Sequence, residues 1–316
     1  MHETKPRMVE KKLYRQKISM KRTFNKEGIK IINSDCLKGI KSIDSESVAL
    51  IITSPPYCMN KAYEDLHDDI ETFKKTNKSI IKECIRVLKK GGSLCWQIGY
   101  HVKNSVIIPL DSIVYNIVDD INKHLDKNEQ LLLRNRIVWT FGHGLNSEHR
   151  FSGRHETILW FTKGNDYIFN LDCVRVPQKY PGKTFFKGKR KGEISGNPLG
   201  KNPTDVWDIP NVKANHVEKT EHPCQFPEAL AQRLILALTN ESDIVLDPFL
   251  GSGTTALACH LNNRRFVGFE LEKKYFEIAV KRINESINGE IRIREDVPVM
   301  EPNPKSKVAK KPEGFK

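Results

Sequence analysis

The chain has 316 residues with 38% apolar content, enough for one large core and a smaller accessory region. Lys and Arg number 52 against 39 for Asp and Glu, and the net charge of +13 favours a polyanionic partner. No run reaches the length of a membrane span, the basic N-terminus lacks the apolar stretch of a signal peptide, and seven scattered cysteines without a C-x-x-C pair indicate a reducing cytoplasm and no zinc or disulfide framework.

In chain order, residues 1–28 read as a basic extension, and the cations of residues 5–30 as a solvated tail more than a specific reader. A first strand spans Ile29–Asn33, running on to Asp35. The apolar run of Val48 to Ile52 forms a second strand that delivers Thr53-Ser54-Pro55-Pro56-Tyr57. Two prolines fix this backbone and keep its carbonyls out of a helix. The Pro55 carbonyl and the Ser54 oxygen are thereby free to accept hydrogen bonds from an amino group, and Tyr57 offers a stacking face. Taken alone the quintet also reads as a proline-rich turn.

Residues 58–77 are charged and poorly periodic, fitting either a lid over the site or a surface loop. A helix follows, with Ile80, Ile81, Cys84, Ile85 and Leu88 at helical spacing and Gly91-Gly92 as its stop. Strands are expected at residues 93–98, 136–140 and 156–161. From about 165 to 221 the chain is irregular and rich in Gly, Pro, Lys and aromatics. Here Lys179, Lys183, Lys187, Lys189, Arg190 and Lys191 alternate with Tyr180, Phe185 and Phe186, a mixture suited to phosphate contact and stacking, or to a solvated loop. Trp207 is assigned to packing or to a wall of the site. Pro227 opens a further helix at its first turn.

The second motif is Val245-Leu246-Asp247-Pro248-Phe249-Leu250-Gly251-Ser252-Gly253-Thr254-Thr255-Ala256, a strand opening through a glycine turn into a helix. Its glycines let backbone N–H groups approach a ligand at the helix N-terminus. About twenty residues on, the strand at 265–269 delivers Glu270, a spacing at which an acid binds both ribose hydroxyls. Gly251-x-Gly253-x-x-Ala256 also fits a dinucleotide fingerprint, so a nicotinamide dehydrogenase is the rival reading. After the strand-helix-strand-helix unit at 244–285 only a short polar tail, 286–316, remains. The other strands must come from earlier in the chain, and the sheet is assembled out of sequence order.

Thr53 to Tyr57 together with DPFLGSGTT and the following GFE resemble the catalytic motif, cofactor loop and ribose-binding acid of the beta group of DNA amino-methyltransferases. The resemblance covers about residues 29–283. It implies an α/β, Rossmann-like S-adenosylmethionine-dependent fold with a circularly permuted, mostly parallel sheet, an antiparallel edge hairpin and a small irregular target-recognition region. Residues 29–164 would form the catalytic half, 165–221 the target-recognition region and 222–285 the cofactor-binding half, with basic tails at 1–28 and 286–316.

The implied cofactor is S-adenosyl-L-methionine, with Thr53, Asp247, Pro248, Phe249, Gly251, Ser252, Gly253, Thr254, Thr255 and Glu270 as binding residues. Asp35 would meet the adenine amino group, or simply cap a helix. Gln225 and Phe226 would hold the methionine end. Pro223-Cys224-Gln225 copies the nucleophile motif of cytosine-C5 methyltransferases. That role is rejected, because here the cofactor glycines follow the motif instead of preceding it and no Glu-Asn-Val motif is present.

In the implied reaction the target base is flipped and stacked on Tyr57, Ser54 and the Pro55 carbonyl accept its N–H bonds, and Pro56 stiffens the corner. Transfer is by direct displacement without a metal. A first-position Ser is seen more often with cytosine N4 than with adenine N6, so N4 is expected, with N6 as the alternative. A methyltransferase acting on RNA or on a protein glutamine usually carries NPPY after the glycine loop, contrary to the order here. A non-catalytic DNA-binding protein would lack cofactor binding. The resemblance further implies double-stranded DNA as partner, a companion restriction endonuclease, a monomer or homodimer, and a cytoplasmic bacterial or phage-encoded protein.

Overall fold

The computed structural model describes residues 22–57, 70–103, 105–142, 144, 146–177 and 184–294. Among them the strands are β1 (Thr23–Lys26), β2 (Ile29–Asn33), β3 (Val48–Thr53), β4 (Leu88–Ile98), β5 (Tyr100–Lys103), β6 (Val106–Pro109), β7 (Leu131–Thr140), β8 (His155–Lys163), β9 (Val206–Asp208), β10 (Ile244–Asp247) and β11 (Arg265–Glu270). The helices are α1 (Cys36–Ile40), α2 (Ile70–Val87), α3 (Leu110–Asn122), α4 (Glu228–Leu238), α5 (Thr254–Leu261) and α6 (Lys273–Ile287).

Nine described strands form one sheet in the order β1-β2-β11-β10-β3-β4-β8-β7-β9, and β5 and β6 make a separate hairpin. From β2 to β4 all neighbours are parallel. Such strands are covered on both faces and carry continuous apolar runs, as in β3, where all six residues are buried. Successive residues feed opposite layers. Leu50 and Ile52 join α4, α5 and α6 on one face, while Ile51 joins α1, α2 and α3 on the other. The last strands in sequence, β10 and β11, sit between β2 and β3, so the permuted α/β arrangement expected from motif order is what the chain adopts.

Four details depart from the sequence expectations. Helix α2 ends at Val87, before Gly91-Gly92, and Leu88 pairs with Val48 in the sheet. The buried Lys163 ammonium donates to the carbonyls of Ile85 and Leu88 at 3.1 Å, satisfying chain-end acceptors that a glycine cap would otherwise serve. Gly91, at φ +73°, instead lets β4 pass under residue 166, where a Cβ would meet the Asp166 carbonyl oxygen at 2.2 Å.

The β7–β8 hairpin is antiparallel as expected but is not the edge, because β9 adds to β7 in parallel. The end of the presumed N-terminal extension, Thr23–Lys26, is paired to β2 through a tight turn in which Glu27 and Gly28 both have positive φ. At the other end α6 runs to Ile287. Ile291 and Ile293 pack on the core, and the Arg294 backbone N–H donates to Glu218. Trp207 is buried with its indole N–H donating to Thr204, a packing role as assigned.

Candidate active site

Strands β3 and β10 are adjacent and parallel, so the Ser54–Tyr57 corner and the glycine loop leave the sheet side by side at its carboxyl edge. Their bases are joined directly. The Thr53 hydroxyl donates to Asp247 Oδ1 at 2.8 Å and the Thr255 hydroxyl to Oδ2 at 2.7 Å, with the Phe249 N–H also on Oδ1 at 3.1 Å. Burial pushes the Asp247 carboxyl up to about 6 against these three bonds.

The loop that follows is shaped by two glycines in left-handed conformations, Gly251 at φ +55° and Gly253 at φ +82°. At Gly253 a Cβ would lie 2.8 Å from the Ala279 Cβ, so glycine is what lets α6 pack against the loop. From α6 the buried Arg282 reaches back, its Nη1 donating to the Ser252 carbonyl at 2.9 Å and to the Thr254 hydroxyl at 3.1 Å. Glu270 ends β11. One of its oxygens accepts the Gly251 N–H and the other the Glu272 N–H, both at 2.8 Å. Burial nevertheless raises this carboxyl to about 7, with the Glu272 and Asp247 charges adding to the shift.

At the proline corner the Ser54 and Tyr57 hydroxyls lie 3.1 Å apart. Burial, then the Glu156 charge, drives the Tyr57 phenol well above its ordinary range, so it remains a hydroxyl. Gly99 approaches the Tyr57 ring closely, where a Cβ would sit 3.3 Å from Cε2. Beside them the Gln97 amide donates to Glu156.

Both motifs open into one cavity of about 350 Å³. Ser54, Pro55, Pro56 and Tyr57 line one part; Asp35, Pro248, Phe249, Gly251, Ser252, Thr254 and Glu270 line another; Gln225 and Phe226 lie on its wall. Thr53, Asp247, Gly253 and Thr255, expected among the ligand contacts, stand behind this lining, and Thr53, Asp247 and Thr255 are fully buried. Asp35 accepts the Lys38 N–H as cap of α1 and also lines the cavity. Gln225 is fixed by donating to the Glu218 carbonyl and accepting from Thr220.

Sequence reading missed several lining residues: Gln97, Trp139, Phe141, Glu156, Asn211, His222 and Tyr275. Most stand on segments already recognised, but their direction depends on strand order and bulges. Asn211 Oδ1 is buried and has no hydrogen-bond partner among the described residues, leaving a free acceptor at the cavity wall. The basic stretch lies elsewhere. Lys187, Lys189, Arg190 and Lys191 are exposed on a turn closed by Phe185 and Glu193, with Arg190 paired to Glu193 and stacked over Phe185, and none lines the cavity. Lys179 and Lys183, and residues 58–69 of the suggested lid, lie outside the described residues.

A permuted, mostly parallel α/β sheet with a glycine loop and a proline corner sharing one cavity at its carboxyl edge is the arrangement of a nucleotide-cofactor-binding α/β protein. Residues 48–281 match the DNA methylase family, and the chain belongs to it. It is 48% identical to the type II methyltransferase M.BglII of Bacillus subtilis over 79% of this chain and 67% of that one. It is 33% identical to the DNA adenine methyltransferase YhdJ of Escherichia coli K12 over 83% and 84%. Its fold is shared with the solved complex of M1.HpyAVI with S-adenosylmethionine, at 25% identity, a TM-score of 0.50 and coverage of 80% and 99%. The protein is a restriction-modification-type DNA amino-methyltransferase that uses S-adenosyl-L-methionine. The residues fit that cofactor: the glycine loop, the Glu270 carboxylate at the end of the adjoining strand, and an Asn211 oxygen without a partner among the described residues all line the same space.

Proposed function

We propose that this chain methylates cytosine N4 at a specific site in double-stranded DNA. The observation carrying this reading is the shared cavity: Ser54 and Pro55 face the volume that Gly251 and Glu270 also face, and the Thr53–Asp247 bond fixes one motif relative to the other. Glu270 holds the two ribose hydroxyls, Asp35 the adenine amino group, and Gln225 and Phe226 flank the methionine end. The cofactor supplies an electrophilic methyl group on a sulfonium.

An exocyclic amine is a weak nucleophile because its lone pair is delocalised into the ring. The flipped base stacks at Tyr57. The Ser54 hydroxyl and the Pro55 carbonyl accept its two N–H bonds and draw the nitrogen toward tetrahedral geometry. Ser54 can do so because the Tyr57 hydroxyl lies within reach of its own proton. The nitrogen then attacks the methyl carbon, the N–C bond forming as the C–S bond breaks, and the surplus proton leaves to solvent. Alignment and oriented dipoles supply most of the rate gain. The exposed cations at 187–191, away from the cavity, contact phosphates of the bound duplex. The similarity to M.BglII, a type II methyltransferase, supports a companion restriction endonuclease acting on the same site as its partner.

Ser54 at the first motif position favours cytosine, whereas the similarity to YhdJ, named an adenine methyltransferase, favours adenine N6 as the second reading. Digestion of methylated DNA to nucleosides followed by mass spectrometry distinguishes them. N4-methylcytosine is expected, and N6-methyladenine would replace it with the second reading.

A further inference from the structure

The connection between β7 and β8 lies outside the segment assigned to target recognition, yet it rises from the cavity rim. It leaves the sheet at Phe141 and returns at His155 and Glu156, and both Phe141 and Glu156 line the cavity. Its ends are paired through the Phe141 N–H, which donates to the Arg154 carbonyl at 2.9 Å. Within the connection the Ser147 N–H donates to the Ser152 hydroxyl at 3.1 Å, and the Arg154 guanidinium donates to Asn146 Oδ1 at 2.7 Å. Gly153 lies so close beneath Tyr100 of β5 that a Cβ there would fall 1.6 Å from the ring hydroxyl.

On this tied loop Phe151 is 99% exposed. The ring forgoes the burial that Phe161, Phe266 and Phe269 obtain, and the loop's own bonds hold it out in water. Arg150 and Arg154 flank it, against Glu148 as the acid within three positions. An exposed aromatic ring with cations on a braced loop, beside a pocket that must receive an extruded base, matches the apolar wedges that proteins insert between base steps. Phe186, also exposed, sits on the turn at 185–193, which lines no part of the cavity.

We propose that Phe151 is the wedge that enters duplex DNA at the target and fills the stack vacated by the flipped base, with Arg150 meeting the adjoining phosphate. The inference rests on the amino-methyltransferase reading above and adds to it the element that opens the duplex.

The test compares the full-length protein with Phe151→Ala and Phe151→Trp, using radiolabelled S-adenosylmethionine. One duplex carries the intact target pair, and the other places the target base opposite an abasic site, where no partner stacks or pairs with it. Because the ring is exposed, the Ala variant keeps the parent Tm and cofactor Kd. We expect its kcat/KM to fall about 10–100-fold on the paired duplex and to return to within about threefold of the parent on the abasic one, with Trp near the parent on both. No loss, or an equal loss on the two duplexes, overturns the wedge. Failure of the parent protein to methylate either duplex overturns the amino-methyltransferase reading itself.

Discussion

The hydroxyl of Thr53 donates to the carboxylate of Asp247 across 2.8 Å, although the two residues are 194 positions apart in the chain. One precedes the proline corner and the other opens the glycine loop, so a single buried bond sets the spacing between the two halves of the site.

Thr53→Val keeps the shape of the side chain and removes the donor. Asp247 then retains only Thr255 and the Phe249 N–H in a fully buried setting. Loss of one partner to a buried carboxylate costs about 1–3 kcal/mol, seen as a lower Tm. Turnover should fall further than cofactor affinity does, because Ser54 moves with Thr53 while the loop remains held by Arg282. Calorimetry of cofactor binding beside kcat measurement checks the split.

Ser54→Ala and Gly251→Arg should separate chemistry from binding. The alanine variant keeps cofactor affinity and loses about 100–1000-fold in kcat, the range for a lost transition-state hydrogen bond. The arginine variant binds no cofactor. Its backbone at φ +55° disfavours any side chain, and its Cβ would already press the His222 ring at 3.0 Å. Turnover by Ser54→Ala equal to that of the parent would remove the hydroxyl from the mechanism.

Glu270 gives a pH dependence whose sign can be worked out. Burial raises its carboxyl from 4.5 to about 7, and the ionised form accepts from both ribose hydroxyls more strongly than the protonated form, one of whose oxygens carries a proton. Cofactor affinity should therefore rise as pH increases through about 7 and then level. The unliganded protein behaves oppositely. A carboxyl with a raised folded-state pKa contributes stability below its unfolded value of 4.5, and that contribution is lost as pH climbs through about 7. In Glu270→Gln, titration calorimetry between pH 6 and 8 should show weak binding with a flat profile.

Much of the fold and site was legible because the residues that carry them are local. The apolar run from Val48 reads as a strand, and the structure makes it a fully buried strand parallel to both its neighbours. Gly251 and Gly253 read as a glycine turn opening into a helix, and in that turn both have positive φ. The end of α2 is not legible, because the groups that satisfy its last carbonyls are the Lys163 ammonium on a distant strand and the Glu46 and Ser47 backbone N–H groups, and not the nearby glycines. Thr53, Asp247 and Thr255 were grouped with the ligand contacts because they neighbour them in sequence. Only their mutual bonding and full burial show that they support the wall from behind.

The sequence by itself determined the class of chemistry, since a proline corner and a glycine loop each encode their conformation within a few residues. The tertiary structure decided which side chains join them. Gln97 and Glu156 reach the cavity because strand order and register, set by long-range pairing, turn those positions toward it, and Asn211 reaches it from the loop that follows β9. Phe151 is held on an exposed loop whose ends line the cavity, because that loop is closed by bonds to residues several positions away and braced by Tyr100 from another hairpin. No periodicity in the chain records those contacts, because they arise only when separate segments are packed together.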